Sequence, residues 1–183
     1  DRSYAAWVVI AFSLGTVVAI LPAAFLGNTL GRKRILLVGL TMEVVGLVAV
    51  FFAPSLNLII ALQVWQGMGN ALRFTSMMAI VQGAFPVEER GKSLGLIGAA
   101  HGLGALLATP VAGLIIDNIG WRYVFLLNVP VYLFAIIGVA AVYQDVGLRP
   151  VQTRVLRSFD YFGAVAVAVG MTALLLGLPE LRQ

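Results

Sequence analysis

Long apolar runs, separated by short polar interruptions, dominate the pattern of this chain. Six of them are long enough to cross a bilayer as a helix, which takes roughly 20 residues. Their predicted bounds are Tyr4–Phe25, Ile35–Ala53, Leu58–Ala84, Ser93–Ile116, Trp121–Tyr143 and Tyr161–Leu178. Proline follows several of these runs, where it stops a helix. The pattern therefore predicts an all-α, polytopic membrane helix bundle.

The composition supports this prediction and excludes other classes of protein. The chain is 61% hydrophobic and 11% charged, whereas soluble domains are roughly 45–50% apolar and about 25% charged. It contains no cysteine and one histidine, which argues against a thiolate or multi-histidine metal site. The net charge of +4 comes mostly from cations that flank apolar runs. We expect the lipid bilayer to be a partner, and neither a metal, a cofactor nor nucleic acid.

The cations also predict an orientation, because cytoplasmic loops carry an excess of lysine and arginine. On one side of the predicted spans lie eight cations: Arg32, Lys33, Arg34, Arg90, Lys92, Arg149, Arg154 and Arg157. The opposite side has three, Arg2, Arg122 and Arg182. The pattern predicts five spans in residues 1–143, a cytoplasmic linker at 144–158 and an extra linker span in 159–183. We expect a multi-pass protein of the cell (inner or plasma) membrane.

The stretch Ala24–Arg34, between the first two runs, contains two glycines and three consecutive cations, which predicts a tight cytoplasmic hairpin. It resembles the cytoplasmic loop motif of the major facilitator superfamily, G-x-L-A-D-R-x-G-R-K. Asn28 stands where that motif has an aspartate. The resemblance implies a gating loop made of Leu26, Gly27, Asn28, Gly31, Arg32 and Lys33.

Other stretches resemble further segments of the same family. Gln66–Gly69 is similar to its R-x-x-Q-G-x-G segment, with Gln63 in the arginine's place, and Phe85–Lys92 is similar to its second cytoplasmic hairpin. The stretch with Thr109, Pro110 and Gly113 resembles the antiporter motif G-P-x-x-G-G, with Thr109 in place of the first glycine. Gly120–Pro130 resembles the W-R-W-x-F-x-x-N-x-P signature of the fourteen-helix drug:proton antiporter branch. Asp160–Gly163 fits the opening of that branch's extra helix.

The resemblance implies the second to sixth helices of a major-facilitator N-terminal half, followed by an extra linker helix. The first helix and the second half-bundle would be missing from this stretch. The implied function is efflux of small amphipathic compounds by proton antiport and alternating access, with a small-molecule solute and protons as partners. Asn28 and Gln63 leave open a facilitator or symporter for another solute, and a non-transporting membrane scaffold or sensor is a further alternative. An enzyme is not expected, because the polar loops contain no nucleophile–base or carboxylate pair.

Three ionisable residues, Glu43, Arg73 and His101, lie in the middle of apolar runs, where charge is costly and favours a paired or functional role. At about 1.5 Å per residue, all three fall at similar depth. We expect Glu43 and Arg73 to form a buried charge pair, with His101 nearby as a group that can take a proton near neutral pH. The alternatives are a structural arginine, a protonated glutamate and a packing histidine.

Two periodic sets of small or polar residues point to helix contacts. Gln63, Gln66 and Asn70 share one face of the third run, which suits either a water-filled cavity or an interhelical hydrogen-bond seam. With His101, they are the candidate cavity or substrate residues. In the fourth run, glycines recur mostly every three or four residues, which favours close helix packing or a gating helix loosened near Pro110. They are Gly91, Gly95, Gly98, Gly102 and Gly104.

The orientation can be tested in this cysteine-free chain with single cysteines at Thr29, Glu89 and Gln152. We expect all three to resist an impermeant thiol reagent that is added outside intact cells, because they lie in the predicted cytoplasmic loops. A cysteine at Asn57, between the second and third runs, is the control that should be labelled. Rapid labelling of the three loop cysteines would reverse the orientation.

Overall fold

The computed structural model describes residues 2–143, together with Ala166, Val169 and Gly170. Residues 2–143 form five helices: α1 (Arg2–Leu30), α2 (Arg32–Phe52), α3 (Leu56–Ala84), α4 (Val87–Asn118) and α5 (Tyr123–Val142). The predicted linker, residues 144–158, lies outside the described residues. Of the sixth predicted span only the three isolated residues are described, and they are helical. The all-α fold expected from the apolar runs is confirmed.

Four of the described helices are long and apolar enough to cross a membrane, within Trp7–Leu30, Arg32–Phe52, Val87–Asn118 and Tyr123–Val142. The remaining helix, α3, has 29 residues, as many as α1. It does not reach the same apolarity, because Gln63, Gln66, Asn70 and Arg73 lie in its middle. These four polar side chains lower the hydropathy of α3 below that of the other helices.

The turn between α1 and α2 is much shorter than the predicted hairpin Ala24–Arg34. Helix α1 continues to Leu30 and α2 begins at Arg32, so that Gly31 alone separates them. Gly31 has φ 101°, a conformation that side-chain-bearing residues rarely adopt. The extent of the predicted hairpin was wrong, because nothing before Gly31 forces the backbone out of the helix; Thr29 even bonds back to the Phe25 carbonyl at 3.0 Å.

The other turns are also short, and several predicted helix ends were wrong. Helix α4 begins at Val87 rather than Ser93, since Glu88 and Glu89 suit the positive first turn of a helix. Helix α5 begins at Tyr123 rather than Trp121, after Gly120 reverses the chain at φ 118°. Polar residues that suggested a loop therefore extend α4, whereas the turn at Gly120 delays the start of α5.

Helix α3 packs against both α1 and α2, and α2 also packs against α5. The buried contacts are made by small side chains: Ala19 and Ala23 meet Ala71 between α1 and α3. At the other end of the bundle, Val50, Ala53 and Ile59 form a second cluster beside Phe125. Small side chains allow helices to approach closely, which replaces the hydrophobic driving force that lipid does not supply.

Glycines bring α3 into direct backbone contact with its neighbours. Gly15 faces the Val64 carbonyl, and Gly67 faces the Phe12 carbonyl, so closely that neither position leaves room for a Cβ. Between α2 and α3, a Cβ on Gly39 would lie 2.7 Å from the Gly69 carbonyl oxygen. These crossings fix how α1, α2 and α3 sit against one another.

The glycines of α4, in contrast, face no described atom. A Cβ on any of the five glycines Gly91, Gly95, Gly98, Gly102 and Gly104 would find nothing within 4 Å in the described part of the chain. Close packing of this face stays a prediction. Helix α4 is continuous through Pro110, so the expected loosening is not seen, and the Thr109 hydroxyl donates to the Ala105 carbonyl at 3.4 Å.

The α1–α3 crossing can be tested with Gly67→Ala. We expect a loss of about 1–3 kcal/mol in stability, because the new methyl group would overlap the Phe12 carbonyl and push the helices apart. The measurement is thermal unfolding of the purified protein in detergent. Gly98→Ala is the matched control and should leave the melting temperature unchanged or raise it. Equal melting temperatures for both variants would show that the crossing is loose.

Candidate functional site

Glu43 on α2 and Arg73 on α3 form an ion pair in the middle of the bundle. Arg73 Nε donates to Glu43 Oε2 at 3.0 Å, and Glu43 is only 3% exposed. The pair is possible because Gly69 brings α3 close to α2; a Cβ at Gly69 would lie 3.3 Å from Glu43 Cγ. The charges cancel where neither could be solvated alone.

The ion pair continues into a chain of polar contacts across the bundle. Arg73 Nη2 donates to Asn70 Oδ1 at 2.6 Å, and Asn70 Nδ2 donates to Thr16 Oγ1 on α1 at 3.4 Å. On the other side of the ion pair lies Tyr132 of α5. The Arg73 guanidinium lies over the Tyr132 ring, 5.9 Å from its centroid. We call Thr16, Glu43, Asn70, Arg73 and Tyr132 the polar network; it joins α1, α2, α3 and α5.

The two glutamines of α3 lie inside the packed helices. Gln63 and Gln66 are both buried. Gln66 packs against Gly46 of α2, and its Nε2 has no hydrogen-bond partner among the described residues. Asn70 is half-buried and belongs to the polar network. Of the predicted polar face, this places Gln66 in the α2–α3 interface and leaves Asn70 as its more accessible member.

His101 lies on α4 with an exposed side chain, and it does not join the polar network. A proton-taking role of His101 near the ion pair stays a prediction. Thr109, Pro110 and Gly113 also lie on α4. In the described part of the chain, no cluster of histidine, cysteine or carboxylate residues could hold a metal ion.

The cations of the predicted gating loop anchor the α1–α2 turn to two other helices. Arg32 Nη1 donates to the Ala79 carbonyl of α3, and Lys33 Nζ donates to the Ala140 carbonyl of α5 at 2.9 Å. Carbonyls in the last turns of helices lack partners within the helix, and α5 ends at Val142. The turn is thus tied to the last turn of α5 and to the C-terminal part of α3, while the Asn28 side chain stays exposed.

A small cavity of about 60 Å³ lies beneath this turn, between α1 and α3. Gly27, Asn28 and Arg32 line it, together with Ser76 of α3. Ser76 is 2% exposed, and its hydroxyl has no hydrogen-bond partner among the described residues. The cavity gives the residues around Asn28 room to shift relative to α3.

Arg122, within the stretch Gly120–Pro130, ties α5 to the far end of α2. Its guanidinium donates to the Ala53 carbonyl at 2.8 Å and lies 5.2 Å from the centroid of the Trp121 ring. Trp121 and Arg122 border an apolar cavity of about 840 Å³ that is also lined by Val8 and Ile59. The arginine of this signature therefore holds two helices together at the end opposite Gly31.

Two members of the polar network, Thr16 and Tyr132, were missed by sequence reasoning. Each is a single hydroxyl side chain in an otherwise apolar segment, and neither carries the charge that drew attention to Glu43 and Arg73. A signal existed: buried tyrosine hydroxyls usually find a hydrogen-bond partner, and threonine often bonds across helices in membranes. Which partner they meet depends on how the helices cross.

The fold and the polar network define a polytopic helical membrane protein with an ion pair between two of its helices. The family model of the Major Facilitator Superfamily matches residues 1–178. The chain belongs to the Major Facilitator Superfamily, as the loop and signature motifs indicated. Relatives that match this chain are named as transporters.

Several curated relatives match most of the chain. The riboflavin transporter RibZ of Clostridioides difficile is 29% identical over 182 residues, which are 98% of this chain and 39% of the relative. Multidrug resistance protein 3 of Bacillus subtilis is 28% identical over 173 residues, which are 94% of this chain and 33% of the relative. Multidrug resistance protein Stp of Mycobacterium tuberculosis is 34% identical over 125 residues, which are 68% of this chain and 23% of the relative. The chain spans less than half the length of these relatives.

The ion pair can be tested by a double-mutant cycle with Glu43→Gln and Arg73→Gln. We expect each single change to cost about 3–5 kcal/mol, because it leaves an uncompensated charge in the bundle. The double variant should be more stable than either single variant. The measurements are thermal unfolding of the purified variants in detergent and the yield of folded protein. Additive losses would mean that the two residues do not stabilise each other; Glu88→Gln on exposed α4 is the control.

Proposed function

We propose that this chain is part of the N-terminal half of a longer transporter that exports small amphipathic compounds in exchange for protons. In this proposal, another helix precedes α1, residues 144–158 form a cytoplasmic linker, and residues 159–183 form an extra membrane span before a second half-bundle. The observation that carries the proposal is the family match over residues 1–178, with relatives named for multidrug resistance.

The proposed mechanism is alternating access in the inner or plasma membrane. The solute binds near the middle of the membrane, between two half-bundles that rock against each other. The polar residues of α3 lie at the right depth for this role, and the polar network keeps α1, α2, α3 and α5 together as one rigid body. Rigidity within a half-bundle favours rocking over internal deformation.

The α1–α2 turn is the proposed gate on the cytoplasmic side. Its support is geometric: Arg32 and Lys33 hold the turn against α3 and α5, whereas Asn28 remains exposed and available to a neighbouring bundle. The turn would form its gating contact when the half-bundles close on that side and break it when they open.

Proton coupling is proposed from the resemblance to the antiporter branch, carried by Thr109, Pro110 and Gly113 on α4. His101 lies on the same helix with an exposed side chain, as a residue facing a second half-bundle would. A proton-binding role and a packing role both remain compatible with this position. The pH dependence of transport in His101→Ala separates them, since a packing role predicts lower yield and an unshifted profile.

A facilitator or symporter for another small solute is the second candidate. Asn28 and Gln63 favour it, because they replace an aspartate and an arginine of the family's motifs. The riboflavin transporter among the relatives shows that the similarity also extends to a protein named for a vitamin.

The proposed function can be tested with the full-length transporter in everted membrane vesicles. The panel of probes contains fluorescent cationic dyes, aromatic primary amides with their N,N-dimethyl twins, and riboflavin. We expect uptake of panel compounds to require an imposed proton gradient. Uptake that follows only the solute's own gradient would support a facilitator, and no uptake of any probe would overturn the transport proposal in favour of a scaffold or sensor.

The gate can be tested with Asn28→Asp in the same transporter. We expect the transport rate to change more than the expression level, because a charged acceptor makes a stronger hydrogen bond to the opposite bundle than an amide does. The measurement is the initial rate of uptake, normalised to the amount of transporter in the membrane. Gln82→Glu, also exposed near this end, is the control for added charge. An unchanged rate in Asn28→Asp would mean that this turn does not gate.

A further inference from the structure

We propose that Asn70 contacts the solute and determines specificity, and that Glu43 and Arg73 are positioning residues that hold its amide in one orientation. The inference rests on the proposed transport function, because it assigns solute-binding atoms to α3. It gives the ion pair a role beyond charge neutralisation.

The orientation of the Asn70 amide follows from what Arg73 can offer. A guanidinium only donates hydrogen bonds, and Arg73 Nη2 lies 2.6 Å from Asn70 Oδ1. Turning the amide over would place its NH₂ group against the guanidinium, so that two donors would face each other. Glu43 keeps the guanidinium in place through its 3.0 Å contact with Nε. The carbonyl oxygen of Asn70 must therefore face Arg73.

Thr16 imposes the same orientation from the opposite side. Its hydroxyl has one proton, and the carbonyl oxygens of Phe12 and Gly67 lie 3.0 Å and 3.1 Å away to accept it. The hydroxyl oxygen can then only accept, which suits Asn70 Nδ2 at 3.4 Å. The amide of Asn70 is thus held between a donor, Arg73 of α3, and an acceptor, Thr16 of α1.

The amide retains one N–H and one lone pair for a solute. An asparagine side chain has two donors and two acceptor sites; Arg73 uses one acceptor and Thr16 uses one donor. The positive charge of Arg73 is balanced by Glu43, so the site has no net attraction for an anion. The chemistry fits a neutral solute group with both a donor and an acceptor, such as an amide or an imide.

The test measures KM and turnover in the full-length transporter with the aromatic amides of the panel and their N,N-dimethyl twins. In Asn70→Ala we expect the KM of the amides to rise about fivefold, the typical effect of a lost hydrogen bond. The KM of the twins, which lack the donor and keep only the acceptor, should rise less than that of the amides, and the turnover number should stay unchanged.

The positioning role needs variants that leave Asn70 intact. The exchange Glu43→Arg with Arg73→Glu retains an ion pair but places an acceptor beside Asn70, so the amide turns over and the KM of the amides rises. Arg73→Lys retains a donor and should keep the KM near wild type. Thr16→Val, which leaves the charges untouched, should raise the KM of the amides even where the exchanged pair fails to fold.

The outcomes separate this inference from the proposed function. Transport of no probe by the wild type would overturn the transport proposal, and the inference with it. If Asn70→Ala changes the KM of the amides and of their twins equally, the inference is overturned and the transport proposal stands. The same holds if the wild type transports only the cationic dyes. Wild-type KM in both the exchanged pair and Thr16→Val would remove the positioning role.

Discussion

A charge in the middle of a bilayer must be paired inside the protein, and the arrangement of this bundle follows from that constraint. Glu43 and Arg73 come from different helices, and neither helix alone offers a partner at the required distance. Pairing them fixes the register of α2 against α3. Because Arg73 also bonds Asn70, and Asn70 bonds Thr16, the same pair extends its influence to α1. Tyr132 adds α5 to the group.

Close approach of the helices is the condition that makes this pairing possible. Gly39 and Gly69 let the backbones of α2 and α3 touch, and Gly15 and Gly67 do the same for α1 and α3. In lipid, where apolar side chains gain little by leaving their surroundings, such contacts and interhelical hydrogen bonds supply much of the stability. The glycines and the polar network therefore depend on each other. Small residues bring the helix backbones together, and polar side chains can then bond from one helix to the next.

The cations near Gly31 serve two physical purposes at once. As charges, Arg32 and Lys33 suit the edge of a membrane rather than its hydrocarbon core. As donors, they bond carbonyls of α3 and α5 and hold the turn against the bundle. A turn that is anchored in this way can carry a contact to another bundle without unravelling. Arg122 does the corresponding work for α2 and α5 at the opposite end.

The sequence by itself determined the class of protein, the number of helices in residues 2–143 and the family, because apolar run length, cation placement and loop motifs are local properties. It also singled out Glu43 and Arg73, since a charge in an apolar run is visible without a structure. Helix ends near Gly31 and Val87 were misjudged, because helices continue through polar residues that merely look like loops. Only the tertiary structure decided that Tyr132 lies beside the ion pair, that Thr16 is linked to it through Asn70, that His101 is exposed on α4, and that Gln66 packs against Gly46. Those outcomes depend on how separate helices rotate and cross, which the spacing along one helix does not contain.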